Sequence, residues 1–281
     1  MLKDDAMIVR LSISQWTARK FDKGITNQIA NEYAVGADVG RYNKVLIAKE
    51  AIQVITKAVS AARSFHYENT LPWDDGGGRM LPAKNFMAYS KEMRKFKNQY
   101  AIAVKEFLEN YPTYRDEAEV KLGGMFRVED YPGQSQIECK FGFSTDIEPV
   151  PNSGDFRVDL QGKEADKIRE QLDARLKERV AEATKDLFVR LNNVVGKFAD
   201  KLADDKAIFR DTLVENVVEL VNLLPMLNVA NDPKLELLRK EVQKKVCAYE
   251  PDNLRQDSDA RKKAAEDARK IMDKMSGYFG K

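Results

Sequence analysis

The chain has 281 residues, of which 43% are hydrophobic and 33% charged, and its formal net charge is +2. Enough apolar residues are present to bury a core, which excludes an intrinsically disordered chain. The near-zero net charge also means that attraction to nucleic acid or to acidic membranes is not forced on the chain as a whole.

The residues that commonly carry catalysis or bind zinc are scarce. His66 is the single histidine, and Cys139 and Cys247 lie far apart without a CxxC pair. This argues against a His/Cys zinc site and against a histidine-based triad, and it favours free thiols in a reducing compartment. We therefore expect a non-enzymatic protein without catalytic residues, metal or cofactor, in which His66 has a structural role.

The start of the chain carries no sign of export. Residues 1–5 include two aspartates and are not followed by an apolar stretch, so we expect no signal peptide. A run of about 18 apolar residues, as a membrane helix requires, is also missing. The sequence predicts a cytoplasmic protein, in the host cytoplasm if it is phage-encoded, that does not bind membranes.

The first third of the chain predicts a strand followed by helices. Val9, Leu11 and Ile13 alternate with polar residues, which is typical of a strand. Residues 24–42 are punctuated by glycine and predict turns with a short helix, and a helix is expected over about 43–65. Two prolines and three glycines in 67–84 predict an irregular loop.

An aromatic stripe marks the next helix. Its aromatic and apolar residues recur at spacings of three and four and indicate one buried face. The stripe consists of Phe86, Tyr89, Met93, Phe96, Tyr100, Ala103 and Phe107. The helix is expected to end at Tyr111, because Pro112 follows.

The middle of the chain predicts strands. They are expected at 125–128, 137–143 and 156–160, separated by proline and glycine turns. The simplest arrangement is an antiparallel meander, which the N-terminal strand is able to join.

The remainder predicts helices again. A stripe from Ile168 to Leu202 indicates a long bundle or coiled-coil helix. A second helix is expected over 209–224, before Pro225, and a third over 232–248, with Pro233 at its first position. The last, over 257–278, has mostly alanine on its apolar face, which predicts loose packing or docking on a partner.

These elements define an α+β fold, predominantly long helices (bundle or coiled-coil-like) with a small antiparallel β-sheet in the middle of the chain. We expect three consecutive regions. Residues 1–113 form an N-terminal strand with a helical region and a Pro/Gly loop, 114–161 a small β-meander, and 162–281 a long-helix region.

The loop from Trp73 to Arg79 is the most unusual local sequence. Asp74 and Asp75 could bind a metal, and the following three glycines could let backbone N–H groups approach a phosphate. The alternative is a tight surface loop with Trp73 in the core, which we consider the simpler interpretation.

A basic segment, residues 76–105, is the best candidate for binding nucleic acid. It holds seven basic residues against one acidic residue, Glu92, and aromatic residues lie between them. Cations that follow a phosphate backbone and rings that stack on bases are the requirements of single-strand binding. The alternative is that the rings form a core stripe and the lysines its solvated face. The candidate nucleic-acid-binding residues are Arg79, Lys84, Lys91, Arg94, Lys95, Lys97, Tyr89 and Tyr100.

Several stretches resemble an uncharacterised phage and proteobacterial family, domain of unknown function 3150. They are Leu11-Ser12-Ile13-Ser14-Gln15-Trp16-Thr17-Ala18-Arg19-Lys20, the Pro/Gly loop before the aromatic helix, and the downstream helices. The resemblance implies the product of a phage or mobile element. Some members are encoded near MoxR-type AAA+ ATPases and von Willebrand A-domain proteins, or among DNA-metabolism genes. The family has no established catalytic residues.

Two functions follow as hypotheses. The first is a phage-type DNA-metabolism protein, a homo-oligomer that binds and anneals single-stranded DNA; a sheet followed by a long helix is also the order of single-strand annealing proteins, an analogy at the level of fold. The second is a helical adaptor or scaffold that acts through protein partners such as a MoxR-type AAA+ ATPase. A metal-dependent enzyme that uses Asp74 and Asp75 is a third and weaker reading.

Overall fold

The computed structural model describes residues 2–151, 163–204 and 207–277. It divides into two compact units. Unit 1 comprises Met1–Arg10, Tyr67–Tyr89 and Asp146–Lys281, and unit 2 comprises Leu11–His66 and Ser90–Thr145. The units interleave along the chain, whereas the expected regions at 1–113, 114–161 and 162–281 are consecutive.

Helices dominate both units, and a small antiparallel sheet accompanies them, so the α+β class is confirmed. The strands are β1 (Ala6–Ser14), β2 (Arg19–Phe21), β3 (Asn43–Val45), β4 (Leu71–Pro72), β5 (Gly78–Pro82) and β6 (Gly142–Pro149). The helices are α1 (Leu2–Asp5), α2 (Lys23–Glu32), α3 (Lys49–Glu68), α4 (Phe86–Leu122), α5 (Gln134–Glu138), α6 (Lys163–Ala203), α7 (Thr212–Leu227), α8 (Pro233–Lys245), α9 (Pro251–Gln256) and α10 (Ser258–Ser276).

The four-stranded sheet has the order β4-β5-β1-β6. β1 pairs antiparallel with β5, with Ala6 opposite Pro82 and Arg10 opposite Gly78. The N-terminal strand is thus confirmed as a member of the sheet. Its partner β5 lies in the segment expected to be an irregular loop, so that expectation was wrong.

The meander expected at 125–160 is replaced by other elements. Short 3-10 helices occupy Gly123–Met125 and Val128–Asp130, and α5 occupies the start of the second expected strand. β6 begins only at Gly142. The third expected strand, at 156–160, lies outside the described residues.

The long helices of unit 1 agree with their predicted stripes. Four large side chains of α6 are at most 1% exposed: Leu187, Leu191, Phe198 and Leu202. They share one core with side chains of α7, α8 and α10. The α8 and α10 helices begin within one residue of their expected starts at 232 and 257. Asp232 and Asp257 each accept hydrogen bonds from two backbone N–H groups of the following turn.

The alanine face of α10 packs tightly, contrary to the expected loose packing. Ala264 and Ala268 are completely buried in the unit 1 core, and α10 lies along α6. Small side chains allow two helix backbones to approach closely, so an alanine stripe forms a dense contact. Methionine Met272 fills the space above Gly196, 3.2 Å from the position of a Cβ atom there.

Unit 2 has a separate core that is rich in aromatic rings. Trp16, Phe107 and Tyr111 are buried with ring centroids about 6 Å apart, within the usual range for aromatic pairs. The α4 helix continues to Leu122 with Pro112 in its interior, so its expected end at Tyr111 was wrong. Tyr111 and Tyr114 pack on this core on either side of the proline, and this contact offsets the backbone hydrogen bond that proline cannot make.

The helix expected over about 43–65 also differs from its prediction. Residues Asn43–Val45 form β3, which pairs with β2, and α3 begins only at Lys49. No helix among residues 2–151, 163–204 and 207–277 is long and apolar enough to cross a membrane.

Candidate functional site

Both candidate tyrosines of the basic segment are buried. Tyr89 is completely buried, and Tyr100 is 4% exposed. The Tyr100 hydroxyl donates a hydrogen bond to the Ser14 carbonyl oxygen at 2.6 Å. Burial raises the pKa of both phenols. Neither ring is accessible to a base, and this burial argues against stacking by either tyrosine.

Arg79 is also committed to the interior of its own unit. Its guanidinium donates to the Thr70 hydroxyl at 2.7 Å and to the Thr70 carbonyl oxygen at 3.1 Å, and it lies 4.8 Å from the ring centre of Tyr67. Burial lowers its pKa. Arg79 therefore holds the β4–β5 hairpin together, and it does not project as a free cation.

The remaining basic candidates are exposed. Lys84 donates to the Asn231 side chain at 3.2 Å, and Lys95 pairs with Glu92 at 2.6 Å. Lys91, Arg94 and Lys97 form no ion pair with any residue that the structure describes, although Arg94 donates to the Ser90 carbonyl oxygen.

Residues three and four apart share a face of a helix, so Lys91, Arg94 and Lys95 project from one side of α4. This side is opposite to the buried Met93 and Tyr100. We call these three cations and the exposed Ile102 of the same side the α4 basic face. Lys97 lies on the flank of the helix.

A groove of about 420 Å³ follows that flank in unit 2. Lys97 and Lys105 stand at its rim, and Phe141 and Phe143 are partly buried in its wall. These two rings contact Phe107 and Tyr100 with centroids 5.6 Å apart. Both rings keep some exposure and line the same groove as Lys97 and Lys105. Sequence reasoning missed them, because Phe141-Gly142-Phe143 was assigned to a strand of the meander.

A second surface of unit 2 is apolar and was not expected. Ile29, Tyr33, Val35 and Val39 are 40%, 70%, 46% and 72% exposed. They surround a cavity of about 250 Å³ at the end of α2. We call these four residues and the cavity the α2 patch. The signal in the sequence was a run of apolar residues with few charges in a segment that was assigned to turns.

Hydrogen bonds hold the α2 patch in shape. The Thr26 hydroxyl donates to the Asp22 carbonyl oxygen at 2.7 Å and accepts the Tyr42 N–H at 3.0 Å, which fastens the returning chain to α2. The Val35 N–H donates to the Ala30 carbonyl oxygen at 2.9 Å. Ala34, the residue before Val35, has a φ of 50°, a conformation that turns the chain sharply after the helix.

The glycine-rich loop is a β-hairpin turn. The Asp74 carboxylate accepts the Gly78 N–H at 2.9 Å and pairs with Arg10 at 3.2 Å. A Cβ atom on Gly78 would lie 2.6 Å from that carboxylate, and Gly77 has a φ of 86°. Trp73 is buried, so the loop is a structural turn with its tryptophan in the core, as the simpler interpretation held.

The part of the chain that the structure describes was searched for groups of side chains that could bind a metal. No group of three or more histidine, cysteine, aspartate or glutamate side chains there could hold a metal ion. His66 is buried, and burial raises the pKa of the Cys247 thiol to about 11, which keeps it protonated at neutral pH.

Comparisons with family models, with curated proteins and with solved structures all found no match to this chain. The resemblance to domain of unknown function 3150 stays a prediction. The fold defines the chain as an α+β protein of two units, and two of its exposed surfaces stand out: the apolar α2 patch and the α4 basic face.

Proposed function

We propose that this chain is a non-enzymatic helical adaptor that binds a protein partner through the α2 patch. The observation that carries the proposal is the exposure of Tyr33 and Val39, at 70% and 72%, beside a cavity. Single exposed apolar residues are ordinary on a protein surface, but a group of them around a cavity is typical of an interaction site. Tyrosine is also among the residues that most often dominate the energy of an interface.

The fixed shape of the α2 patch supports this role. Because Thr26 and Val35 are already hydrogen-bonded, binding would not have to order the loop. A preorganised surface loses less conformational entropy on binding than a mobile one.

The apolar lining and the charges of the α2 patch indicate what kind of partner it would bind. A cavity of about 250 Å³ between aliphatic and aromatic side chains suits an apolar side chain inserted from the partner. Glu32 and Asp38 oppose Arg41 nearby, so the local charges nearly balance and the affinity should depend little on salt. The resemblance suggests a MoxR-type AAA+ ATPase as the partner to test first.

Single-strand binding, with annealing by an oligomer, is the second candidate function. The unpaired cations Lys91, Arg94 and Lys97 favour it, since phosphates attract cations that lack a carboxylate partner. Phe141 and Phe143 would replace Tyr89 and Tyr100 as the rings that contact bases. We rank this function second because both tyrosines are buried and because those two phenylalanines are only partly exposed.

The test compares the wild type with the double variant Tyr33→Ser/Val39→Ser. Binding to a purified MoxR-type AAA+ ATPase is measured by calorimetry, and binding to a single-stranded oligonucleotide by fluorescence anisotropy. We expect the variant to lose about tenfold or more in affinity for the ATPase, as loss of a central apolar contact does. The matched control is Val54→Ser/Leu237→Ser, which removes side chains that are 60% and 68% exposed but lie outside the patch.

The two candidate functions predict different results in this experiment. The adaptor proposal fails if the wild type does not bind the ATPase, or if the patch variant binds it as tightly as the control does. Salt-sensitive binding to the oligonucleotide by the wild type, without binding to the ATPase, would select the second candidate.

A further inference from the structure

A groove in unit 1 carries a rim of carboxylates over an apolar floor. Its volume is about 610 Å³, and it runs beside α7 and the chain segment 247–252. Val214, Val218 and Tyr249 line the floor. The carboxylates of the rim are Asp211, Glu215, Glu219, Glu250 and Asp252.

Part of this negative charge is neutralised within the groove. Arg255 pairs with both Asp211 and Asp252, the latter at 2.7 Å. Three other carboxylates of the rim are exposed and form no ion pair with any residue in the described ranges: Glu215, Glu219 and Glu250. Burial, together with the charge of Glu219, raises the pKa of Glu68. The groove therefore keeps three carboxylates that lack a cation.

The α4 basic face has the complementary pattern. Lys91 and Lys95 lie four residues apart, as Glu215 and Glu219 do on α7, and four residues correspond to about 6 Å along a helix. Ile102 follows two turns after Lys95 and is 67% exposed, so an apolar side chain accompanies the cations. In the groove, Glu215 and Glu219 of the rim have the spacing of Lys91 and Lys95, and the floor beside them is apolar.

We infer that this acidic groove binds the α4 basic face of a second copy of the chain. Charge complementarity selects this occupant, because both surfaces belong to one sequence. Lys91 and Arg94 on the face and three carboxylates of the groove form no ion pair within the described part of the chain, whereas Lys95 is shared with Glu92. The two surfaces are different, so the contact is heterologous and joins copies head to tail into a ring or an open chain. This self-association goes beyond the adaptor function and uses none of the residues of the α2 patch.

A charge-swap experiment tests the contact in the full chain. One variant, Glu215→Lys/Glu219→Lys, reverses the groove, and another, Lys91→Glu/Lys95→Glu, reverses the α4 basic face. Masses are measured by light scattering after size exclusion, on nuclease-treated protein, at about 50 mM and about 500 mM salt, because screening is stronger at the higher concentration. We expect the wild type at low salt to reach at least double the chain mass of 32.0 kDa and to fall towards it at high salt.

Each variant alone should remain at 32.0 kDa, because its groove and its α4 face then have charges of the same sign. An equimolar mixture of the two variants should assemble again, since each groove then meets a face of opposite charge. The control Lys57→Glu/Lys263→Glu reverses two exposed lysines outside both surfaces and should assemble like the wild type.

Two results would overturn the inference. One is a wild type that stays at 32.0 kDa at low salt up to about 100 µM, the range in which weak protein contacts become visible. The other is an assembling wild type whose two charge variants do not reassemble when mixed, although circular dichroism shows both to be folded. The variant Tyr33→Ser/Val39→Ser should assemble normally, so a failed adaptor function and a failed self-association give different results.

Discussion

At the scale of single residues, the most consequential contact of unit 2 is a buried lysine. Lys44 is 2% exposed, and its ammonium lies 2.5 Å from the Asp130 carboxylate, 3.4 Å from the Asp22 carboxylate and 2.9 Å from the Met125 carbonyl oxygen. These contacts join β3 and the cap of α2 to the chain that follows α4. The shape of the α2 patch depends on the same cap, because Asp22 accepts the Ile25 N–H.

Replacement of this lysine should destabilise the protein strongly. In Lys44→Met, Asp130 would stay buried with the more exposed Lys20 as its remaining cation. Loss of one partner of a buried ion pair costs about 3 kcal/mol. We expect urea unfolding, followed by circular dichroism, to show this loss in the free energy of unfolding. Lys57→Met, on an exposed part of α3, should change it by less than about 0.5 kcal/mol, and equal values for the two variants would contradict the role of Lys44.

The same cluster predicts how stability depends on pH. Burial alone would raise the pKa of Asp130, but hydrogen bonds from Lys20 and Lys44 outweigh it and hold the pKa below the ordinary value of 3.8. The contribution of Asp130 to stability is therefore present above pH 3.8 and is lost as the pH falls through the lower folded-state pKa. The stability advantage of wild type over Asp130→Asn should shrink in acid, measured by urea unfolding across that range. An advantage that does not change with pH would contradict this account.

The limits of the sequence at this scale are visible in Tyr89 and Tyr100. Their spacing is the same whether the stripe faces a core or a nucleic acid, so the pattern left both interpretations open. Burial of Tyr89 and the hydrogen bond of Tyr100 to Ser14 depend on residues far away in the chain. Trp73 shows the opposite case, because a large apolar side chain beside a turn favoured the structural interpretation from the start, and Trp73 is buried.

At the scale of elements, α10 shows how a weak pattern produces a strong contact. Its alanines looked too small to hold the helix, yet Ala264 and Ala268 are completely buried against the core that contains α6. The sequence of α10 shows that its buried side chains are small, whereas the strength of the contact depends on how closely α6 approaches it.

A larger side chain at this contact should therefore be harmful. We expect Ala268→Leu to lower the free energy of unfolding by about 2 kcal/mol, because overpacking a dense core forces strained rotamers or backbone shifts. Thermal and urea unfolding measure the change. The control Lys270→Leu places the same side chain on the exposed side of α10, where we expect little effect. An Ala268→Leu variant as stable as the wild type would contradict tight packing of α10 and would support the expected loose packing.

The elements that sequence reasoning predicted correctly are those with long, regular patterns. The stripe of α6 and the starts of α8 and α10 near residues 232 and 257 required no knowledge of the tertiary structure. The β4–β5 hairpin was missed because β4 is only two residues long and its stabilising partner, β1, lies about 70 residues away in the sequence. Its prolines, Pro72 and Pro82, stand at strand ends, where a missing N–H donor is tolerated.

At the scale of the whole molecule, the division into units was beyond the reach of local patterns. β1, α3, α4 and β6 each continue from one unit into the other, so no loop or linker in the sequence marks the boundaries between the units. The α2 patch, in contrast, lies within residues 26–42 and was readable in principle. Its apolar residues are visible in the sequence, but the sequence does not show whether they are buried or exposed.

The adaptor function depends on whether apolar surface of the α2 patch is buried when a partner binds. The most direct measurement is the heat-capacity change of binding, obtained by calorimetry of wild type and Tyr33→Ser/Val39→Ser with a MoxR-type AAA+ ATPase at several temperatures. Burial of apolar surface makes this change negative. We predict a clearly negative value for the wild type and a smaller one for the variant. A value near zero, or one that is the same for both proteins, would contradict binding through the α2 patch.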